Sequence, residues 1–395
     1  MTESPSYRIA VIGGAGHVGL PLSLMLAEAG LDVVVIDRDA QKLRQIEQGS
    51  FPYMEEMSDS YLSRSKEWSI AYTTQYEPIQ ACDVIFFTVG TPVDEHLNPD
   101  LEPVYESLEL VKPFLKTGQC VVLRSTLFPG TSENVVGLLE KSGLDVSVCF
   151  CPERIAQGQG FVELKQIPQI VAASDTRGLE VARDIFSRLA LNVIELSFVE
   201  AELAKLFCNT WRYVQFAIAN EFYEISTSKG LDFERIRSAM MLDYERMASF
   251  PRPGFAAGPC LFKDTMQLAS YSRDFFRLGH QAMLTNETMP DFMVNMAKRE
   301  MDLRDKTVGM LGMAFKPNND DIRESLAYRL KRLLFYEGAK VLCTDPYVRD
   351  PTFVPLEVVL RDSEAIFIGC PHDVYGEIVF GKEQRVFDCW GPSWR

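Results

Sequence analysis

Tyr7-Arg8-Ile9-Ala10-Val11-Ile12-Gly13-Gly14-Ala15-Gly16-His17-Val18-Gly19 is the stretch that decides the fold. A β-rich run ends in glycines, and a helical pattern with Leu20, Leu24 and Ala27 on one side begins directly after it. Gly14-x-Gly16-x-x-Gly19 between a strand and a helix is the dinucleotide fingerprint, in which glycines let the backbone approach a pyrophosphate at a helix N-terminus. Glycine turns precede many helices, so the motif gains its weight from the strand and the acid downstream of it. That second strand, Val33-Val34-Val35-Ile36, ends at Asp37, close to the spacing of about 20 residues at which an acid meets the ribose. A carboxylate there bonds two ribose hydroxyls and repels a 2′-phosphate, since like charges at about 4 Å cost about 4 kcal/mol at an intermediate dielectric. Arg38 softens that penalty, but NAD is the expected cofactor.

Outward from this unit, apolar runs over residues 83–89, 120–123 and 145–148 read as buried parallel strands. They run into Gly90-Thr91-Pro92, Ser125-Thr126-Leu127-Phe128-Pro129-Gly130-Thr131 and Cys151-Pro152-Glu153-Arg154. Ligands of doubly wound sheets bind at such carboxyl ends. Residues 200–224 contain no proline or glycine and read as one long helix. On it Lys205 and Asn209 are i and i+4, able to point a cation and an amide at one atom. The bland alternative is a surface ion pair of Glu202 with Lys205 and a helix-contact asparagine. Helical material continues to about residue 304, and β/α character returns with strands at 307–312, 341–346 and 365–368. The expectation is an α/β chain of two Rossmann-like doubly wound domains joined by a long central helix and a helical middle domain. The boundaries fall at 1–198, 199–304 and 305–395.

Bulk composition narrows the function. At 395 residues the chain exceeds one ordinary core. A formal charge of −15 argues against a nucleic-acid partner, and no run has the roughly eighteen apolar residues of a membrane span. The Met1-Thr2-Glu3-Ser4-Pro5 start lacks the features of a secretory leader. Nine scattered cysteines without a CxxC pair indicate neither a disulfide framework nor a zinc site, so a cytoplasmic setting and no metal are expected. None of the four histidines is placed to read as a catalytic base, which leaves acid–base work to carboxylates, lysine or water.

The chemistry concentrates in Phe250-Pro251-Arg252-Pro253-Gly254-Phe255-Ala256-Ala257-Gly258-Pro259-Cys260-Leu261-Phe262-Lys263-Asp264-Thr265. A thiol ends a loop poor in bulky side chains, with a lysine that favours its thiolate and an acid that opposes it. By itself Cys260 reads equally as a small core residue.

In order, these motifs resemble the nucleotide-sugar 6-dehydrogenases, the family of UDP-glucose and UDP-N-acetylhexosamine dehydrogenases. The resemblance covers almost the whole chain. It rests on Gly49-x-x-Pro52-x-x-Glu55, Thr91-Pro92, Ser125-Thr126-x-x-Pro129-Gly130-Thr131, Pro152-Glu153-Arg154 and Glu202-x-x-Lys205-x-x-x-Asn209. It continues through Asn220-Glu221, Gly258-x-Cys260 with Lys263-Asp264, and Phe315-Lys316-Pro317 with Asp321-x-Arg323-x-Ser325. The family implies oxidation of a sugar CH2OH to a carboxylate with two NAD+ in succession, giving a uronic acid of the kind used in polysaccharide biosynthesis. Carried over by position, Cys260 traps the aldehyde, and Lys205 and Asn209 stabilise the oxyanion. Asp264 and Thr126 hold water, and Glu153 serves as acid–base partner in hydrolysis. The resemblance implies that Gly14, Gly16, His17, Val18, Gly19, Asp37, Arg38, Thr91, Pro92, Thr126 and Arg323 meet NAD. It implies that Glu153, Arg154, Lys205, Asn209, Phe255, Gly258, Phe315 and Lys316 meet the UDP-sugar, Lys316 at its diphosphate. The resemblance further implies that Arg246 reaches the sugar of a neighbouring subunit, and with the length of the central helix it implies a homodimer.

Departures from the pattern also appear. Gln157 stands where UDP-glucose enzymes carry a second glutamate. Ala256-Ala257-Gly258 replaces a glycine-richer loop, and Arg246 lies fourteen residues before Cys260, a spacing closer to the N-acetylhexosamine branch. The short ending at Asp388-Cys389-Trp390 suggests a trimmed third domain. Two other functions remain open on the residues: a two-electron dehydrogenase of the 6-phosphogluconate and β-hydroxyacid type, which needs no Cys260, and a catalytically silent nucleotide-binding protein.

Overall fold

The structure, a computed structural model, describes residues 6–190 and 192–391. The start at Met1–Pro5 lies outside the described residues. The chain forms two compact units, 1–208 and 209–395, whose boundary falls inside one helix, Phe198–Ser228.

The first unit is built on an eight-stranded sheet. In chain order its strands are β1 (Arg8–Ile12), β2 (Asp32–Ile36), β3 (Ile70–Thr73), β4 (Val84–Phe87), β5 (Cys120–Leu123), β6 (Ser147–Phe150), β7 (Gln169–Ala173) and β8 (Val193–Glu195). They lie in the order β3-β2-β1-β4-β5-β6-β7-β8. All neighbours are parallel except β6 and β7. Period-2 alternation splits β1 between two cores: Ile9 and Val11 pack on one face, Ala10 and Ile12 on the other. Burial on both faces is why these strands read as unbroken apolar runs. The order reverses at β1, whose neighbours are β2 and β4, and that opens a crevice at the carboxyl ends. Strand β6 sits two residues later than the run at 145–148 suggested, because Cys149 and Phe150 carry the buried pattern onward. β3, β7, β8 and the strand Arg385–Phe387 near the end of the chain had no counterpart in the sequence reading.

The second unit holds a four-stranded parallel sheet, β9 (Thr307–Leu311), β10 (Lys340–Thr344), β11 (Ala365–Ile368) and β12 (Arg385–Phe387), in the order β10-β9-β11-β12. Its helix Leu326–Tyr336 begins at Ser325, whose hydroxyl accepts from Ala327 N, and turns Leu326, Ala327, Leu330 and Leu334 into the core. Met289, Met293 and Ala297 of the helix Met289–Glu300 share that core. Truncating Leu330 there to alanine is expected to cost about 2–5 kcal/mol. The sheet order again reverses at a first strand, β9, so its carboxyl edge also offers a crevice.

Candidate active site

In the first unit the glycine turn has the shape its sequence required. Gly13 adopts φ +74° and donates, with Gly14, to Ile36 O at 2.9 and 3.2 Å. A Cβ on Gly14 would lie 2.6 Å from Val35 Cγ1, and one on Gly19 would lie 2.6 Å from Gly13 O, so neither position admits a side chain. Gly16 is different: a Cβ there would meet only Gly13 O at 3.3 Å, so the outer face of the turn is bare backbone. That is the surface a pyrophosphate needs, and it precedes the helix Gly19–Glu28. Asp37, just past β2, accepts from Ala15 N at 3.0 Å with one oxygen and from Asp39 N at 2.9 Å with the other. It is half-buried, with lone pairs left for ribose hydroxyls, while Arg38 is exposed. The residues present therefore fit NAD. Thr88, which the sequence reading did not single out, fixes the turn from β4 by donating to Ile12 O and Gly13 O. His17 packs its ring 3.8 Å from that of Tyr53, whose hydroxyl donates to Gly16 O.

The loops after β4 and β5 are tied together. Thr91 Oγ1 donates to Thr126 O at 2.7 Å, and Ser125 Oγ donates to Val89 O at 2.5 Å. Pro92 is exposed and Thr126 half-buried. A buried brace comes from Glu202, whose carboxylate accepts from Gly130 N at 2.7 Å, Ser132 N at 2.9 Å and Ser132 Oγ at 2.7 Å. This caps the helix Thr131–Lys141, and corrects the alternative of a Glu202–Lys205 surface pair. Burial pushes the Glu202 carboxyl up, against the lowering effect of those donors. One turn on, Lys205 is 7% exposed and has no ion pair among the described residues.

Glu153, after β6, is also nearly buried. One oxygen accepts from Arg154 N and Ile155 N at 2.7 and 3.1 Å, and the other pairs with Arg124. Arg124 is fully buried, donates to Cys151 O and Gln169 Oε1 at 2.9 Å each, and lies over the Phe186 ring. Sequence inspection missed it, because its partner is 29 residues away. Arg154 itself donates to Pro168 O. Gln157 lies in a loop held by Glu55, which accepts from Gly158 N and Gly160 N at 3.1 and 2.5 Å.

In the second unit Cys260 is exposed and caps the N-terminus of the helix Leu261–Ser272. The first turn of that helix carries Asp264, fully buried, with Asn209 Nδ2 donating to it at 2.6 Å and Lys263 Nζ paired with it at 2.6 Å. The thiol thus stands at a partial positive pole, beside a carboxylate neutralised by an ammonium. Upstream, the loop is bolted down. Arg237 donates to Phe250 O and Pro251 O at 2.9 and 3.1 Å. Gly254 N donates to Asn220 Oδ1, which belongs to a buried amide chain running through Asn286 to Tyr213 O. At Gly258, φ +99°, a Cβ would lie 2.6 Å from the Phe315 ring, so the cysteine loop and the 315–325 segment pack backbone to ring. Gly258 N also donates to Glu324 O, and Arg323 clasps Asp321 through both Nε and Nη2.

Phe255 is in the core against Trp390, and Arg246 is exposed on the turn Glu245–Met247. Beside Ala256–Gly258 lies a cavity of about 440 Å³ that Glu287, Arg329 and Arg332 also line. Burial pushes the Glu287 carboxyl up, with Arg329 acting against that shift. Among the described residues no cluster of acids, cysteines and histidines is placed to hold a metal, and no helix is long and apolar enough to cross a membrane.

Known protein families match nearly the full length of the chain. Three models of the UDP-glucose/GDP-mannose dehydrogenase family match: its NAD binding domain at residues 7–190, its central domain at 199–288 and its UDP binding domain at 309–391. A UDP-N-acetyl-D-mannosamine dehydrogenase of Methanocaldococcus jannaschii is 31% identical over 95% of this chain and 88% of its own. A UDP-glucose 6-dehydrogenase of Rickettsia bellii is 27% identical over 84% of this chain and 80% of its own. The solved UDP-glucose dehydrogenase of Pyrobaculum islandicum superposes with a TM-score of 0.91 at 26% identity, covering 100% of this chain and 96% of that one.

Proposed function

The chain belongs to the UDP-glucose/GDP-mannose dehydrogenase family of NAD-dependent oxidoreductases, and from that premise we propose a four-electron oxidation of a UDP-sugar at C6. In sum, CH2OH, two NAD+ and water give COO−, two NADH and three protons. NAD+, held at the Gly14–Gly19 turn with Asp37 at its ribose, supplies the hydride acceptor for both oxidations. Cys260 adds its sulfur to the aldehyde carbon, and the adduct oxygen takes a proton. The oxidised adduct is a thioester, whose C–S bond breaks when water adds, returning the thiol. The observation that carries this reading is the exposed Cys260 on a helix N-terminus over the Asn209–Asp264–Lys263 cluster. Asn209 and Lys205 supply donors to the oxyanion, a contribution of about 3–4 kcal/mol per well-placed donor. Thr126 and Asp264 hold the attacking water. Glu153 acts as base through a carboxylate that Arg124 keeps in place. Arg323, Thr91 and Pro92 complete the cofactor's surroundings, and Phe315, Lys316, Gly258, Arg154 and Arg246 those of the substrate.

The sugar we favour is an N-acetylhexosamine. Support comes from the mannosamine enzyme at 31% identity and from the placement of Arg246 before the loop. We assign residues 1–198 to cofactor binding, 199–304 to the middle domain and 305–395 to the nucleotide sugar. A homodimer is supported by Trp211, Ile218, Phe222 and Ile225, an apolar stripe on the long helix exposed by 62, 39, 41 and 58%. The nine cysteines are all free, in keeping with a reducing, cytoplasmic setting. The experiment is Cys260→Ala with the UDP-sugar and NAD+: formation of the uronate should fall at least about a thousandfold, while NAD affinity holds. Uronate formed at the parent rate would remove Cys260 from the chemistry.

A further inference from the structure

The loop that carries Lys316 closes on itself through Phe315 N, which donates to Asp321 O at 2.9 Å, and is anchored at Asn318 by residues from another part of the chain. Between β9 and the helix Leu326–Tyr336 the chain makes a long excursion, residues 312–325, over the carboxyl edge of the second sheet. Within it Asn318 adopts the left-handed region, with φ +54°. Asn318 N donates to His372 Nδ1 at 2.9 Å, its side-chain amide donates to Asp373 Oδ2 at 2.7 Å, and its Oδ1 accepts from Asp373 N at 3.1 Å. His372 stands just after β11 and is fully buried. Its other nitrogen, Nε2, lies 3.0 Å from Asp345 Oδ2, which is equally buried.

The hydrogen bonds fix the tautomer. A ring nitrogen that accepts from a backbone N–H carries no proton, so the His372 proton sits on Nε2 and is donated to Asp345. Asp345 is held in turn by four backbone amides: Met313 and Ala314 at 2.6 and 3.1 Å, Tyr347 and Val348 at 2.8 and 3.0 Å. One imidazole thus joins the ends of β10, β9 and β11, three neighbouring strands, at the edge where doubly wound sheets bind ligands. Nothing in this cluster touches a solvent-facing task of its own, since both side chains are sealed. Through Asn318 N it holds one end of the segment Phe315-Lys316-Pro317-Asn318, whose other end is held by the bond from Phe315 N to Asp321 O.

We propose that His372, braced by Asp345, is a positioning residue that presents Lys316 to the diphosphate of the nucleotide substrate. This rests on the reading that Lys316 meets that diphosphate, and the experiment separates the two. Asparagine in place of histidine sets its carbonyl oxygen near the Nδ1 position and keeps an acceptor for Asn318 N. Glutamine sets its amide nitrogen near Nε2 and keeps the donor to Asp345, but loses the anchor of the loop. Binding of UDP by calorimetry and steady-state kinetics with the UDP-sugar are measured for the whole protein. His372→Gln should weaken UDP and raise the substrate KM about tenfold, with kcat at saturation and NAD affinity within about twofold of the parent. His372→Asn should bind UDP within about twofold of the parent. Asp373→Ala, which loosens the same anchor from a more open position, should weaken UDP about threefold, and serves if the histidine variants do not fold.

Lys316→Met is the control. If it weakens UDP while His372→Gln and Asp373→Ala bind normally, the positioning role is wrong. Equal losses in His372→Asn and His372→Gln would reduce the pair to general stability and overturn the proposal as well. If Lys316→Met binds UDP like the parent, the reading of Lys316 falls and the proposal falls with it.

Discussion

Asp37 and Asp345 occupy the same place in the two sheets and do opposite things. Each is the first residue past the strand beside the sheet's first strand, β2 in one case and β10 in the other. Each accepts from the turn after that first strand: Ala15 N for Asp37, Met313 N and Ala314 N for Asp345. Even the turns correspond, since Gly13 N donates to Ile36 O and Gly312 N to Thr344 O, both glycines having positive φ. After the turn the units part. The first enters its helix at Gly19 and leaves bare backbone and a half-buried carboxylate with lone pairs still open. The second delays its helix to Leu326, fills the interval with the Lys316 loop, and closes the carboxylate behind His372. A carboxylate at that strand end is thus a ribose anchor only where its lone pairs stay available. Where five donors consume them, it is a structural bolt.

Replacing each acid should separate these roles. The largest effect is expected for Asp345→Ala, which strands several buried donors at once. It should cost about 3–5 kcal/mol, lowering the thermal midpoint of the second unit by roughly 10 °C, with NAD affinity unaltered. Asp37→Ala should do the reverse. Its loss of ribose bonds costs about 2 kcal/mol, roughly thirtyfold in KM for NAD, and use of NADP should improve as repulsion is relieved, with little change in midpoint. Calorimetric melts and initial rates on the same preparations would expose any crossing of the two effects.

Acid titration sharpens the contrast. Burial raises the Asp345 carboxyl, but the hydrogen bond from His372 and those from the backbone amides outweigh that and hold it at about 2. A depressed carboxylate stabilises the fold above its unfolded value near about 3.9, and that contribution is lost as pH falls through the folded value. Asp345 therefore contributes about 2 kcal/mol above pH about 4, lost between about pH 4 and 2. Denaturant titrations across that window should show a shallower pH slope in Asp345→Asn than in the parent. Parallel slopes would mean that the Asp345 carboxyl is not held below its unfolded value.

Legibility in the sequence divides along the same line, between local and distant partners. The glycine turn, Asp37, the long proline-free helix and the cysteine loop are written in contiguous residues, and the structure has each of them. The strands that escaped were short, at an edge or reversed: β8 and β12 have three residues each, β3 is an edge strand, and β7 comes after Pro168 and runs antiparallel to β6. The site residues that escaped act through partners far along the chain. Glu202 reaches Ser132 over 70 residues, Arg124 reaches Glu153 over 29, and His372 reaches Asp345 over 27. Buried polar groups must find partners, but a single sequence does not say where. Even the observation that no histidine reads as a catalytic base left His372 without a task.

Four-electron chemistry at Cys260 is tested most directly by running a panel of UDP-sugars, with N-acetylhexosamines included, to completion and counting NADH formed per sugar consumed. Two NADH per sugar, with a uronate as product, is the result expected. One NADH per sugar, with an aldehyde or ketone accumulating, would contradict it and place the protein among the two-electron dehydrogenases.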